Sequence, residues 1–203
     1  MSKKLITIIL FIILFFIIIY LFTDKKYYPT DPVELKYTRL VIKDNVLHLT
    51  NKKDNSLYTS YNMSTYESTI RYFKTTIKYI LKEKNRKNIL MLGFGLGGIP
   101  LKLSMDPKIS RIDCVDIDNE LFYYFKKLFP NHSKKINLYH VSADDYLQKN
   151  KIKYDIIIDD VFNGFNKIEL DYLSLKKSLN KNGKLYMNNY DINKKNVNIV
   201  KNN

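Results

Sequence analysis

The chain has one cysteine, no tryptophan, three histidines and only six glycines in 203 residues. A single cysteine, Cys114, excludes an internal disulfide framework. Its place inside an apolar run marks it as a small core residue rather than a nucleophile. His48, His132 and His140 share no metal-ligand spacing, which argues against a histidine-based metal centre. No internal repeat is present. Acids are also scarce: 20 Asp and Glu face 34 Lys and Arg, a formal charge of +14. Such a balance would suit nucleic acid or an anionic surface. The lysines, however, are scattered rather than gathered into a block. Heavy use of Lys, Asn, Ile and Tyr reads as drift toward AT-rich codons, and nucleic acid is not an expected partner.

The longest apolar run lies at the start. Leu5 to Phe22 is apolar except for Thr7 and Tyr20. As a helix it would span about 27 Å, close to the hydrocarbon thickness of a bilayer. A cleavable signal peptide would need a shorter apolar core and small residues before the cut, whereas here Thr23-Asp24-Lys25 follows. Residues 1–23 are therefore expected to be an uncleaved transmembrane anchor, with the membrane as a partner through residues 5–22. Lys25, Lys26, Lys36 and Arg39 outweigh Lys3 and Lys4, which places the rest of a single-pass protein in the cytoplasm. Residues 24–37 read as a linker containing Pro29 and Pro32. Residues 38–62 read as a β-hairpin region turning at Lys43-Asp44-Asn45, with Leu57–Tyr61 as a third strand. Ser64-Thr65-Tyr66-Glu67 has capping-box spacing ahead of a helix carrying Ile70, Phe73, Ile77, Ile80 and Leu81 on one face.

Residues 63–190 then alternate strand and helix. Strands are expected at 89–92, 111–117, 136–141, 154–159 and 184–188, with helices at 98–104, 119–129, 144–149 and 168–179. That order implies an α/β fold with a doubly wound, mostly parallel Rossmann-like sheet. Only polar, Asn/Lys-rich sequence remains at 191–203, expected to be disordered. Either the sheet stops at five core strands or a partner, such as a second copy in a homo-oligomer, supplies the edge.

Four of the six glycines fall in Gly93-Phe94-Gly95-Leu96-Gly97-Gly98, directly after the apolar run Ile89–Leu92. A second apolar run ends in Asp116 and Asp118. A strand, a glycine turn, a helix and a strand with a terminal carboxylate form the front half of a nucleotide-binding unit. Glycine is needed where the turn uses backbone angles closed to other residues and where a ligand touches the main chain. The same spacing satisfies the dinucleotide pattern, but the preceding hairpin and Asp144 argue against NAD.

In this order the motifs resemble the spermidine-synthase-like branch of the class I S-adenosylmethionine-dependent methyltransferases, over roughly residues 38–190. The resemblance rests on Tyr58–Met63, Leu92–Pro100, Val115-Asp116-Ile117-Asp118, Ser142–Leu147 and Tyr154–Asp160. It implies that Gly93, Gly95 and Gly97 wrap the methionine part of the cofactor. It also implies that Asp116 holds the ribose hydroxyls and that Asp144 meets the adenine amino group. Asp160 would be the catalytic acid beside the sulfonium. Two departures stand out. Polyamine synthases carry an Asp in the glycine loop, where this chain has Leu96, and a second acid after strand four, where it has Asn163. A polyamine needs a concentrated acidic pocket. The expectation is therefore a membrane-anchored methyltransferase using S-adenosylmethionine, with an acceptor that is either protein or small molecule. Two alternatives are a polyamine aminopropyltransferase using the decarboxylated form, and a degenerate, non-catalytic scaffold.

Overall fold

The computed structural model describes residues 8–15, 28–85, 87–163, 166–191 and 194–201. The described residues form two larger sheets and one two-stranded pair. The first is antiparallel, β1 (Val33–Glu34), β2 (Thr38–Lys43), β3 (Val46–Asn51) and β4 (Leu57–Asn62), paired in that order. The β2–β3 turn uses positive φ at Asp44 (51°) and Asn45 (61°), the angles of a two-residue turn that matches strand twist. It is thus a four-stranded sheet rather than a hairpin. It also reaches back into the expected linker, where Val33 pairs with Leu40.

The second sheet has six strands in the order β12-β11-β8-β5-β6-β7. Its parallel members are β5 (Lys87–Leu92), β6 (Ile109–Asp116), β7 (Ile136–His140), β8 (Tyr154–Asp159) and β11 (Leu179–Asp191). β12 (Lys194–Lys201) runs antiparallel along β11 over the full register Lys184↔Lys201 to Asp191↔Lys194. This corrects the expected disorder of the tail. Backbone pairing with an already extended neighbour holds a segment whose composition promises no core. It also supplies from within the chain the edge expected from a partner.

The parallel strands are apolar on both sides because helices cover both faces. Ile89, Met91, Ile112 and Cys114 pack on one side, with residues of α1 (Arg71–Leu81), α2 (Gly98–Ser104), α3 (Asn119–Leu128) and the first sheet. Leu90, Leu92 and Val115 pack on the other, with α4 (Ala143–Lys149) and α5 (Tyr172–Ser178). Asp118 caps α3 by accepting the Glu120 N–H, as its position before the helix implies. The expected capping box does not form. Asn62 Oδ1 takes the N–H groups of Ser64 and Thr65 in a turn, and α1 starts only at Arg71, without a side-chain cap.

Two short strands, β9 (Phe162–Asn163) and β10 (Asn166–Lys167), form a small antiparallel pair after β8. Near the start of the sequence, residues 8–15 are helical and exposed, while 5–7 and 16–22 of the expected anchor lie outside the described residues. Among the described residues no helix is long and apolar enough to cross a membrane. The expected transmembrane helix, and the single-pass localisation built on it, are corrected accordingly.

A buried polar network ties β6, β7 and β8 together. The Asp113 carboxylate, fully buried, accepts from Tyr154 Oη at 2.6 Å, Arg111 Nε at 2.8 Å and Asn137 Nδ2 at 2.9 Å. Tyr146 Oη in turn lies 2.7 Å from Tyr154 Oη. Tyr154→Phe leaves this charge short of a donor and is expected to cost about 1–3 kcal/mol of unfolding free energy, read by urea denaturation. An unchanged midpoint would show the network to be dispensable.

Candidate functional site

The C-terminal ends of β5, β6 and β8 converge, and there the glycine loop begins. Gly93 N–H donates to the Val115 carbonyl, and Asp160 N–H donates to the Leu92 carbonyl, each at 2.9 Å. Gly93 has φ +83°, and a Cβ on it would lie 2.3 Å from the Asp160 carbonyl oxygen. No other residue fits both the angle and the space. Gly97, at φ +85°, would place a Cβ 2.5 Å from the Phe125 ring. Gly95 lies beside Thr59 Oγ1, 3.1 Å from its own would-be Cβ. Leu96 adopts φ 59° with its side chain wholly buried, and its carbonyl accepts the Tyr61 hydroxyl at 2.8 Å. The loop therefore presents main chain and no charge.

Asp116 ends β6 with its carboxylate already held: Oδ2 accepts the Phe94 N–H at 2.7 Å and Oδ1 the Asp118 N–H at 2.9 Å. Burial pushes its pKa above the usual carboxylate range, against the pull of those two N–H groups. The next residue, Ile117, is 63% exposed and apolar at the mouth of the site. Asp144 does not share this setting. It sits exposed in the first turn of α4. Ser142, nearer the end of β7, caps that helix by accepting the Asp145 N–H at 3.1 Å. The structure thus brings Gly93, Gly95, Gly97, Asp116 and Asp160 together and leaves Asp144 exposed on the first turn of α4.

Asp160 follows β8 directly. Its Oδ1 accepts Asn188 Nδ2 of β11 at 2.6 Å. Burial raises its pKa to about 7, with Asn188 and Lys167 opposing the rise. The adjacent Asp159 is buried and ion-paired with Lys167 of β10. Burial lifts Asp159 too, and Lys167 restrains it. From α1, the Tyr72 hydroxyl is buried without a hydrogen-bond partner among the described residues, as is Thr76 Oγ1 one turn later. Burial and then the Asp160 carboxylate push the Tyr72 phenol well up, so this hydroxyl belongs to the surroundings of Asp160. Sequence reasoning missed Asn188, Lys167 and Tyr72. Only Tyr72 left a trace, as one of two hydroxyl residues four apart on a helix expected to be core packing.

Among the described residues no cluster of His, Cys, Asp and Glu could hold a metal ion. What converges is a main-chain loop, one pre-organised carboxylate and one carboxylate poised near neutrality. That set suits a polar nucleoside and a proton acceptor beside it.

Two expectations follow. Gly93→Ala should fail to fold stably, because a methyl group cannot occupy the Asp160 carbonyl; a native-like melting temperature would refute the close approach. Asp160 has a folded pKa above its unfolded value of about 3.9. The native state therefore binds more protons between pH 4 and 7, and the stability lost to this group grows as pH rises through that window. Asp160→Asn should melt higher than the wild type at pH 8, and the gap should shrink toward pH 5.

Comparison with known proteins follows the same architecture. The profile of the spermine/spermidine synthase domain matches residues 63–202. A polyamine aminopropyltransferase of Buchnera aphidicola is 30% identical over 115 residues, 51% of this chain and 40% of that protein. One of Streptococcus pneumoniae is 29% identical over 90 residues, covering 42% of this chain and 32% of that protein. The matched part thus spans less than half the length of these relatives. Among solved structures, a probable spermidine synthase from Corynebacterium glutamicum aligns with TM-score 0.65 at 14% identity, covering 79% of this chain and 64% of that one. Spermidine synthase from Thermotoga maritima aligns with TM-score 0.57 at 16% identity, covering 79% and 56%. These likenesses show a class I methyltransferase-like fold. The domain match spans well over half of the sequence, glycine loop and both convergent acids included, and the chain belongs to the spermine/spermidine synthase domain family.

Proposed function

We propose that this chain transfers an aminopropyl group from decarboxylated S-adenosylmethionine to an amine. This was the alternative at the level of sequence, and the curated relatives, named polyamine aminopropyltransferases, favour it over methyl transfer. The observation that carries it is Asp160, a half-buried carboxylate with a pKa near 7 at the end of β8. An amine near neutral pH is an ammonium, with a pKa of about 10, and attacks only after losing a proton. A carboxylate lifted to about 7 accepts that proton more readily than an ordinary one and is still largely ionised at pH 7.5. The freed nitrogen then forms its bond to carbon while the carbon–sulfur bond breaks. The electron pair returns to sulfur, which leaves as a neutral thioether nucleoside. Most of the acceleration comes from alignment of nitrogen, carbon and sulfur.

In this reading the main chain of Gly93, Gly95 and Gly97 passes around the donor's sulfonium tail. Asp116, held by Phe94 and Asp118, takes the ribose hydroxyls. Asp144 is assigned to the adenine amino group. A second reading, methyl transfer from S-adenosylmethionine, draws on Leu96. Its buried side chain leaves the loop with no carboxylate to grip the donor's amino group.

Calorimetric titration of the full chain with S-adenosylmethionine, its decarboxylated form and S-adenosylhomocysteine separates the readings. Preference for the decarboxylated donor, with binding lost in Asp116→Ala, is expected. Preference for the carboxylated ligands would turn the assignment to methyl transfer, and no binding by folded protein would leave a scaffold. Asp160→Asn should lower turnover about 100-fold or more with donor affinity held within about threefold. The wild-type rate should fall as pH drops through about 7. A pH-independent rate between 6 and 8 would remove Asp160 as the base.

A further inference from the structure

Aminopropyl transfer to a diamine or polyamine needs acids for two or more ammonium groups. The site described above does not supply them. Leu96 presents main chain only, and residue 163 is an asparagine. Asp116 is committed to loop N–H groups. Asp159 would be the remaining acid beside Asp160, but Lys167 already pairs with it, the two side chains being 4% and 14% exposed. The ammonium has two further neighbours. Its Nζ lies 3.4 Å from the Val161 carbonyl and 5.2 Å from the Phe162 ring centroid. The β9–β10 pairing sets Lys167 opposite Phe162. Glu169 acts on Asp159 as well, but it is exposed and its charge is screened by water and salt.

We infer that Lys167 is a specificity-determining residue: by neutralising Asp159 next to Asp160 it leaves one net negative charge, at Asp160, so the acceptor is a monoamine rather than a diamine or polyamine. This rests on the aminopropyl-transfer reading of the same site. The reason is charge balance in a partly dry space. One ammonium matches Asp160. A second must sit near a fixed like charge with no carboxylate of its own, and a buried unpaired charge is strongly disfavoured. The same lysine is felt at Asp160, whose pKa it holds below what burial alone would give. A lysine that merely pinned the β9–β10 turn would affect stability and leave acceptor preference alone.

The test uses the full chain, decarboxylated S-adenosylmethionine as donor, and n-butylamine against 1,4-diaminobutane as competing acceptors. The wild type is expected to favour n-butylamine in kcat/KM. Lys167→Met frees Asp159 and should move the ratio toward the diamine by about tenfold or more. Lys167→Arg keeps the charge and should keep the wild-type ratio. Asp159→Asn/Lys167→Met removes the pair together, restores the net charge, and should return the preference to n-butylamine. The double variant also guards against a single variant that does not fold, as thermal melts would show. A wild type that prefers the diamine, or a ratio the same in all four proteins, overturns the inference and leaves aminopropyl transfer standing. Turnover of neither amine by folded, donor-binding protein overturns both.

Discussion

The site depends on one close approach, that of Gly93 to the Asp160 carbonyl. Three strands end there. β5 hands its last carbonyl to the Asp160 N–H, while β6 receives the Gly93 N–H through Val115. A side chain at Gly93 would drive β8 away from β5. It would also break the alignment that lets Asp116 reach the Phe94 N–H. The loop, Asp116 and Asp160 are therefore one mechanical unit. Their positions follow from main-chain hydrogen bonds rather than from contacts between the two acids.

Electrostatically the site is built by subtraction. A chain with 34 basic and 20 acidic side chains places two neighbouring acids at the end of β8 and cancels one of them with its own lysine. The other is left where burial raises its pKa and a neutral amide, Asn188, is its hydrogen-bond donor. An amide donor fixes the carboxylate's orientation without stabilising its charge as a cation would. Such an arrangement costs folding stability and yields a proton acceptor suited to neutral pH.

Much of this was legible in the sequence. The apolar runs at Ile89–Leu92 and Ile156–Ile158 have the continuous character of strands covered on both faces. The glycine cluster could only be a turn, and Asp118 stands where a helix cap belongs. What stayed hidden was non-local. Lys194–Lys201 is mostly Lys and Asn with only Val197, Ile199 and Val200 apolar, and it is a strand because β11 offers it a ladder of main-chain partners. Lys167 carries no signal of its own in the sequence, since its meaning comes from Asp159, eight residues away. The apolar N-terminal run misled in the opposite direction: hydropathy measured length and composition, but among the described residues no helix is long and apolar enough to cross a membrane. Ser64 and Glu67 had the spacing of a cap, but Asn62 takes the Ser64 N–H and Thr65 Oγ1 takes the Glu67 N–H.

Cys114 has one more consequence. It is fully buried in the middle of β6, between β5 and β7, and burial raises its thiol pKa well above the usual value. Only the thiolate reacts with alkylating reagents or peroxide, so in the folded protein this sulfur is chemically silent. It becomes reactive only when the central strands part. A single thiol in such a place makes the rate of covalent labelling a clock for opening of the sheet, with no second cysteine to confuse the reading.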